Sequence, residues 1–237
     1  MKEELEVFVG RQIPDSDLRK SIRVYNRNRN LLRELSRLRT RGQVSLTHAD
    51  NLAIVKASMM MPIEESSAAL TNILEEIRLH SGPQDMKDSV RIFLFGLFCE
   101  SHSIFNSLDQ LGMHVVNDNL YNGTRYFLQD VDEEVDPVEG LVGRHLAKDP
   151  LSCFHYPRGQ WRRHLIERIT DNEIEGFVYL TPRYCDAMAF DYPAVKELLQ
   201  ELDIPVLLLE MDSSSMSKGQ LRTRLEAFAE VLSLIHI

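Results

Sequence analysis

The chain has 237 residues, of which 43% are hydrophobic and 27% are charged, and its formal net charge is −9 at pH 7. These proportions are ordinary for a globular protein, and no apolar run approaches the roughly 20 residues of a membrane-spanning helix. The net charge disfavours a nucleic-acid-binding protein, because phosphate-backbone binding depends on an excess of Lys and Arg. Residues 2–6 lack the basic and apolar stretches of a secretory signal, so we expect a cytoplasmic location.

Residues 1–82 are predicted to form a helical linker segment. Its longest helix is predicted over 15–41, where apolar residues recur at steps of three and four before Gly42. These apolar residues are Leu18, Ile22, Tyr25, Leu32, Leu35 and Leu38. The helix carries nine Arg or Lys residues against three acidic ones. We expect its apolar face to be buried and its arginines to be solvated, rather than to meet an acidic partner or RNA.

Two shorter helices are predicted over 46–59 and 63–80, the second one opened by Pro62 and two glutamates. Met59, Met60 and Met61 lie between these helices, and we interpret them as core filler rather than as metal ligands. The polar stretch 81–85 then marks the boundary of a second unit.

Residues 83–231 show short apolar runs that alternate with helical patterns, which predicts an α/β, Rossmann-like domain with a mainly parallel four-stranded sheet. The predicted strands are 91–98, 114–117, 176–181 and 205–210. The predicted helices are 101–111, 137–147, 159–172, 192–202 and 220–232. Residues 232–237 match the translation of a transposon end used for sequencing libraries, so we expect an adapter-derived tail there.

Polar and sulfur-bearing residues follow the ends of the four predicted strands. Ligands of open parallel sheets bind beyond these carboxyl ends, so we expect the site there. The residues are Cys99, Asp118, Asn122, Arg125, Cys185 and Ser214. With Cys153 there are three widely spaced cysteines, which disfavours a disulfide framework and leaves buried thiols or metal ligands. The chain has no GxGxxG or Walker loop, so a nucleotide-like ligand would need another binding mode.

Four segments of the chain resemble, in order, the sequence patterns of one protein family. Residues 25–32 (YNRNRNLL) are similar to the pattern YNxNRxLL, and residues 118–127 (DNLYNGTRYF) to DDLCTGxRYF. Residues 184–186 (YCD) resemble the centre of KFCDP, and residues 219–228 (GQLRTRLEAF) resemble GQLxTRxEAF. Any one of these matches is weak, but four in order are specific. The chain therefore resembles the family of iron–sulfur subunits of 2-hydroxyacyl-CoA dehydratases and benzoyl-CoA reductases.

The resemblance implies an enzyme with two related α/β domains and a 4Fe-4S cluster held by cysteines from both. It also implies a homologous partner subunit and a separate ATP-hydrolysing activator, whose electron drives the radical elimination of water from a 2-hydroxyacyl-CoA. This chain would be the linker and C-terminal domain of such a subunit, and would be inactive by itself.

The resemblance further implies that Cys185 is a cluster ligand, with Cys153 ranked second because Phe154 follows it where the family has Pro. Cys99 is interpreted as a structural thiol. Candidates for holding the CoA thioester are Asp118, Arg125, Ser214 and Gln220. Tyr121 stands where the family usually has Cys, so a sulfur ligand is not expected in that loop.

Two alternatives remain open at this point. A benzoyl-CoA reductase subunit would share the fold and would consume the electrons instead of returning them. A cluster-free accessory protein without enzymatic activity would use only this half of the architecture.

Overall fold

The computed structural model describes residues 2–80, 89–99, 101–147, 160–211 and 218–235. The helices are α1 (Lys2–Val9), α2 (Asp15–Thr40), α3 (His48–Met60), α4 (Ile63–His80), α5 (His102–Gln110), α6 (Thr124–Phe127), α7 (Pro137–Leu146), α8 (Gln160–Asp171), α9 (Asp186–Glu201) and α10 (Lys218–Ile235). The strands are β1 (Val90–Phe95), β2 (Met113–Asn119), β3 (Gly176–Pro182) and β4 (Val206–Met211). Within these ranges, no helix has the length and apolar character needed to cross a membrane.

The four strands form one parallel sheet in the order β2-β1-β3-β4, which confirms the predicted α/β class. Helices cover both faces of the sheet. Successive side chains of a strand point to opposite sides, so each strand contributes to both layers. Ile92 and Leu94 of β1 pack on α5 and α10, with α3 joining this layer. Phe93 and Phe95 pack on α8 and α9 on the other face. The continuous apolar runs of the sequence are therefore buried strands.

Helix α2 buries the apolar face that its periodicity predicts. Ile22, Leu32 and Leu35 are buried, while Leu18 is half-buried. Leu32 and Leu35 form a core with side chains from α3 and α4. Tyr25 is exposed, so the predicted apolar face is narrower at its amino-terminal end.

The prediction that the arginines of α2 are solvated is wrong for two of them. Arg39 is 1% exposed and lies against the edge strand β2, where it donates hydrogen bonds to the carbonyls of Val115 (2.6 Å) and Val116 (2.8 Å). Arg29 is also buried, and its guanidinium bonds Asn26 and Asp130. Both side chains therefore connect the helical segment to the α/β part of the chain.

Polar side chains also fix the rest of α2. Asn26 donates to the Val131 carbonyl (2.8 Å) and accepts from the Val131 amide (2.9 Å). Asn28 bonds the hydroxyls of Ser58 and Ser66 on α3 and α4. Buried amides need such partners, since an unsatisfied polar group in a core destabilises the fold.

Three further features differ from the sequence predictions. Met59, Met60 and Met61 are exposed, so their interpretation as core filler is wrong. Helix α9 begins at Asp186 rather than at residue 192, with Pro193 inside it. Helix α10 continues to Ile235 rather than ending at residue 232, and Leu232 is buried against the sheet, while the adapter origin expected for 232–237 stays a prediction. The expected boundary at 81–85 lies outside the described residues.

Candidate functional site

The carboxyl ends of the parallel strands lie at one edge of the sheet, which we call the carboxyl rim. The strand order reverses between β1 and β3, since β2 lies on one side of β1 and β3 and β4 on the other. Such a switch point opens a crevice between the loops that follow the two strands. Cys99 follows β1 and Cys185 follows β3, so the topology brings both cysteines to the two sides of this crevice.

Cys185 is half-buried and occupies the N-cap position, directly before the first residue of the 16-residue helix α9. Its side chain makes no capping hydrogen bond, so the thiol is not used to complete the helix. Helix amino termini favour negatively charged groups, and thiolates are the usual ligands of iron–sulfur clusters. The position therefore suits a thiolate ligand.

The residues beside Cys185 expose large aromatic side chains. Tyr184 is 88% exposed, and Phe190 in the first turns of α9 is 84% exposed. Tyr184 also has a positive φ of 65°, a backbone conformation that non-glycine residues rarely adopt and that occurs at functional sites. Large exposed apolar side chains beside a candidate ligand suit a surface that other protein segments cover.

The loop after β2 is organised by the Asp118 carboxylate. Asp118 is 1% exposed, and its Oδ1 accepts hydrogen bonds from the amides of Leu120 and Thr124, both at 2.9 Å. Its Oδ2 accepts from the Thr124 hydroxyl (3.0 Å) and lies 3.7 Å from Nε2 of the buried His48. The direct substrate contact expected of Asp118 stays a prediction. These hydrogen bonds indicate that Asp118 holds the loop in its conformation.

Gly123 and Asn122 complete this loop. A Cβ on Gly123 would lie 2.8 Å from Asp118 Cγ and closer still to its Oδ1, so only glycine fits. Asn122 donates to the Cys99 carbonyl (2.8 Å) and accepts from the Cys99 amide (3.3 Å). The loop is thereby tied to the end of β1, and Cys99 itself is 2% exposed within the core.

Arg125 is mostly buried, at 7% exposure, and its guanidinium lies 4.6 Å from the centre of the Tyr121 ring. Tyr121 stacks in turn on the exposed Phe98, with ring centres 5.4 Å apart. Cation–π contacts of this kind fix a guanidinium in place. Arg125 is therefore positioned near the carboxyl rim, with little of its surface open to solvent.

Three predicted site residues remain. Gln220 is exposed on the first turn of α10, which follows β4. Cys153 and Ser214 lie outside the described residues. In the part of the chain that the structure describes, no group of three or more His, Cys, Asp or Glu residues could hold a metal ion.

Two histidines have lowered pKa values: His48, beside Asp118, and His114, at the start of β2. Burial, together with the charge of Arg39, lowers the pKa of His48 well below its ordinary value. Burial, with Arg39 and Arg91, lowers the pKa of His114 to about 4. Both rings are therefore neutral at pH 7, and the Asp118 carboxylate faces a neutral imidazole.

Comparison with known proteins identifies the family of the chain. The sequence profile of the family described as 2-hydroxyglutaryl-CoA dehydratase, D-component, matches residues 1–232. The chain belongs to this family.

Relatives of the chain include subunits of two kinds of enzyme. A benzoyl-CoA reductase subunit of Thauera aromatica is 26% identical over 99% of this chain and 61% of its own length. The (R)-phenyllactyl-CoA dehydratase beta subunit of Clostridium sporogenes is 24% identical over 97% and 61%. The (R)-2-hydroxyglutaryl-CoA dehydratase beta subunit of Acidaminococcus fermentans is 23% identical over 98% and 62%. The chain thus spans about three fifths of the length of these relatives.

Sequence reasoning missed an arginine-lined cleft beside the edge strand of this family member. The cleft has a volume of about 790 Å³ and lies between α2, β2 and the carboxyl end of α8. Arg33, Arg37 and Arg41 line it from α2, and Arg91 lines it from β1. The four-residue spacing of the first three is visible in the sequence, whereas the approach of Arg91 depends on the tertiary fold.

Proposed function

We propose that this chain is part of a subunit of an iron–sulfur 2-hydroxyacyl-CoA dehydratase, in which Cys185 is one cluster ligand. The observation that carries the proposal is the half-buried Cys185 thiol at the switch point of a chain that belongs to the dehydratase family. A bound 4Fe-4S cluster would supply the electron chemistry for the radical elimination of water. The protein's own contribution would be to hold, orient and enclose the reacting groups.

The residues at the carboxyl rim fit one ligand position of such a cluster. Cys185 combines partial exposure, a helix amino terminus and a side chain that makes no capping bond. Cys99 fits poorly, since it is enclosed among apolar side chains of the core. Clusters generally need three or four protein ligands, so the others would come from outside the described residues, with Cys153 as the candidate within this chain.

The exposed Tyr184 and Phe190 support the proposal that the cluster site is completed by further protein. The whole enzyme would contain a second α/β domain and a homologous partner subunit, and an ATP-dependent activator would deliver the electron. Covering these rings would remove water from the surroundings of the cluster and strengthen the electrostatic interactions within the site.

The test compares two cysteine variants of the full-length subunit, produced anaerobically with its partner subunit. Cys185→Ala should lose bound iron and turnover, because the cluster loses a covalent ligand. Cys99→Ala is the matched control, and should keep its iron while unfolding at a lower temperature. Normal iron content and activity in Cys185→Ala would refute the proposal.

A benzoyl-CoA reductase subunit is the second candidate, favoured by the 26% identity to a subunit of that enzyme in Thauera aromatica. Both functions would use Cys185 in the same way, so the cysteine variants do not separate them. The two functions are separated by incubating the reduced holoenzyme with 2-hydroxyacyl-CoA thioesters and with aromatic acyl-CoA thioesters. Water loss from the former supports the dehydratase, and ring reduction of the latter supports the reductase.

A further inference from the structure

The arginine cleft runs along the edge strand β2. Arg91 is the second residue of β1, and Asn172 and Glu173 lie in the turn before β3, so these residues are toward the amino-terminal side of the sheet. Asn117 and Thr124 also line the cleft, which therefore extends to the loop after β2. Cys185 follows the carboxyl end of β3 and does not line the cleft. A ligand in the cleft would therefore bind without contacting the proposed cluster ligand.

The basic wall of this cleft is built from arginines at four-residue steps. Arg33, Arg37 and Arg41 lie on the same side of α2, where like charges four residues apart destabilise a helix. Arg33 makes an ion pair with Asp130, a carboxylate that it shares with Arg29. Arg37 and Arg41 are exposed, and neither makes an ion pair or a side-chain hydrogen bond with the residues that the structure describes. Their charges remain available to a ligand.

Arg91 extends the positive wall across the cleft. Its Nε donates a hydrogen bond to the Asn172 carbonyl (2.8 Å), which holds the guanidinium in position. The carboxyl end of a helix attracts cations, which accounts for basic residues in the last turn of α2 but not for an arginine on β1. A chain with a net charge of −9 thus concentrates positive charge at one concave surface.

Acceptor groups accompany Arg91 on the side of the cleft that faces α2. Asp171, the last residue of α8, and Glu173, two residues later, line it together with Asn117 and Asn172. Guanidinium groups suit phosphates, and carboxylates commonly accept hydrogen bonds from ribose hydroxyls. The volume is in the range of pockets that hold nucleotide-sized ligands. We propose that this cleft binds a nucleoside phosphate, with its phosphates at Arg37, Arg41 and Arg91 and its ribose toward Glu173.

The same chemistry is found in free nucleotides and in the adenosine phosphate end of CoA. Titration calorimetry of the 237-residue chain with ADP, CoA and pyrophosphate distinguishes these sources. Tighter binding of CoA than of ADP assigns the site to a CoA ligand, and equal or tighter binding of ADP assigns it to a free nucleotide. Pyrophosphate should bind more weakly than ADP, because it lacks the ribose.

The variants test each wall separately. The double substitution Arg37→Gln and Arg41→Gln should weaken nucleotide binding by at least roughly tenfold, since two charge-assisted hydrogen bonds are lost. Arg27→Gln is the matched control, because Arg27 is exposed on the same helix but does not line the cleft. Glu173→Gln should weaken ADP binding and leave pyrophosphate binding unchanged.

Circular dichroism verifies that each variant is folded, which is expected because Arg37 and Arg41 are exposed. Absence of saturable binding for all three probes would overturn the proposal. An equal loss in Arg27→Gln and in the double variant would also overturn it, since the attraction would then come from the general charge of α2 rather than from the cleft.

Discussion

Replacing Arg39 tests whether the buried guanidinium stabilises the contact between α2 and the edge of the sheet. Arg39→Met keeps most of the apolar stem and removes both hydrogen bonds to β2. Val116 would still accept a bond from the Thr40 hydroxyl (3.0 Å), whereas the Val115 carbonyl would lose its Arg39 donor. We expect the Met variant to be destabilised, and Arg39→Ala to be destabilised further.

The magnitude follows from two opposing effects. Two hydrogen bonds from a charged donor stabilise the fold by about 3–6 kcal/mol in total. Burial opposes this by lowering the pKa of Arg39 from its ordinary value to about 10, which corresponds to roughly 3 kcal/mol against the charged form. The difference predicts a loss of about 2 kcal/mol for Arg39→Met. Arg39→Ala also loses the packing of the stem, for a total of about 4 kcal/mol.

Urea denaturation followed by circular dichroism measures both variants, with Arg27→Ala as an exposed control on the same helix. The control should change the free energy of unfolding by less than about 0.5 kcal/mol. A Met variant as stable as the original chain would refute the reasoning, because it would show that the cost of burying the charge cancels the two hydrogen bonds.

Four further predictions concern the sites and the acid stability of the chain. Reconstituted anaerobically, the 237-residue chain should bind iron substoichiometrically, since the thiolates of one rim are too few for a cluster; stoichiometric iron by chemical assay would contradict this. In the full-length enzyme, Arg125→Ala should raise the KM for the acyl-CoA and leave the iron content unchanged, and an unchanged KM would argue against substrate contact. Gly123→Ala should lower the melting temperature by its clash with Asp118, at a cost of about 1–3 kcal/mol, whereas Gly143→Ala in α7, where a Cβ meets nothing within 4 Å, should not. The free energy of unfolding should fall as the pH is lowered from 6.5 to 4, because His48 and His114, whose pKa is lowered to about 4, take up protons in this range only in the unfolded chain. The partly exposed His114 should contribute at most roughly 3 kcal/mol to this fall. In urea denaturation at several pH values, His114→Gln should therefore show a smaller dependence of the unfolding free energy on pH.

The strands and most helices could be predicted because local pattern determines them. Strand β3 is buried on both faces, so its sequence is a continuous apolar run that no solvated element would carry. The predicted start of α9 is several residues too late, because Pro193 resembles a proline in the first turn of a helix. The true start depends on Cys185 and Asp186, whose residue types give no strong capping signal.

Burial of two charged side chains is indicated by their positions but not by their residue type. Arg29 and Arg39 are in phase with the apolar residues of α2, at steps of three, four or seven, so helical periodicity puts them on the buried face. Their residue type favours exposure, because a buried guanidinium needs partners. Those partners, Asp130 and Val115, lie 101 and 76 residues further along the chain. Only the tertiary fold brings these groups together, so the sequence could not show that the two arginines have partners.

The methionines are the converse case, in which apolar side chains are exposed. Met59, Met60 and Met61 are apolar, but they occupy the end of α3 and the turn into α4, where the described residues do not cover them. A short apolar run at the end of a helix therefore does not predict its own burial, because burial depends on what the rest of the fold places against it.

The segments that carry the family resemblance are mostly engaged in holding the fold together. Asn26 and Asn28 bond to other segments of the chain, and Asp118, Asn122 and Gly123 shape one loop through contacts among themselves and with Cys99. The resemblance at these residues therefore reflects a shared fold, and is not by itself evidence of shared chemistry. Replacing them would lower activity by misplacing neighbouring groups, even if none of them touched a substrate. Loss of turnover alone therefore cannot assign a role within this loop. The separate measurement of iron content, KM and unfolding free energy can do so, because a cluster ligand, a substrate contact and a positioning residue change different members of that set.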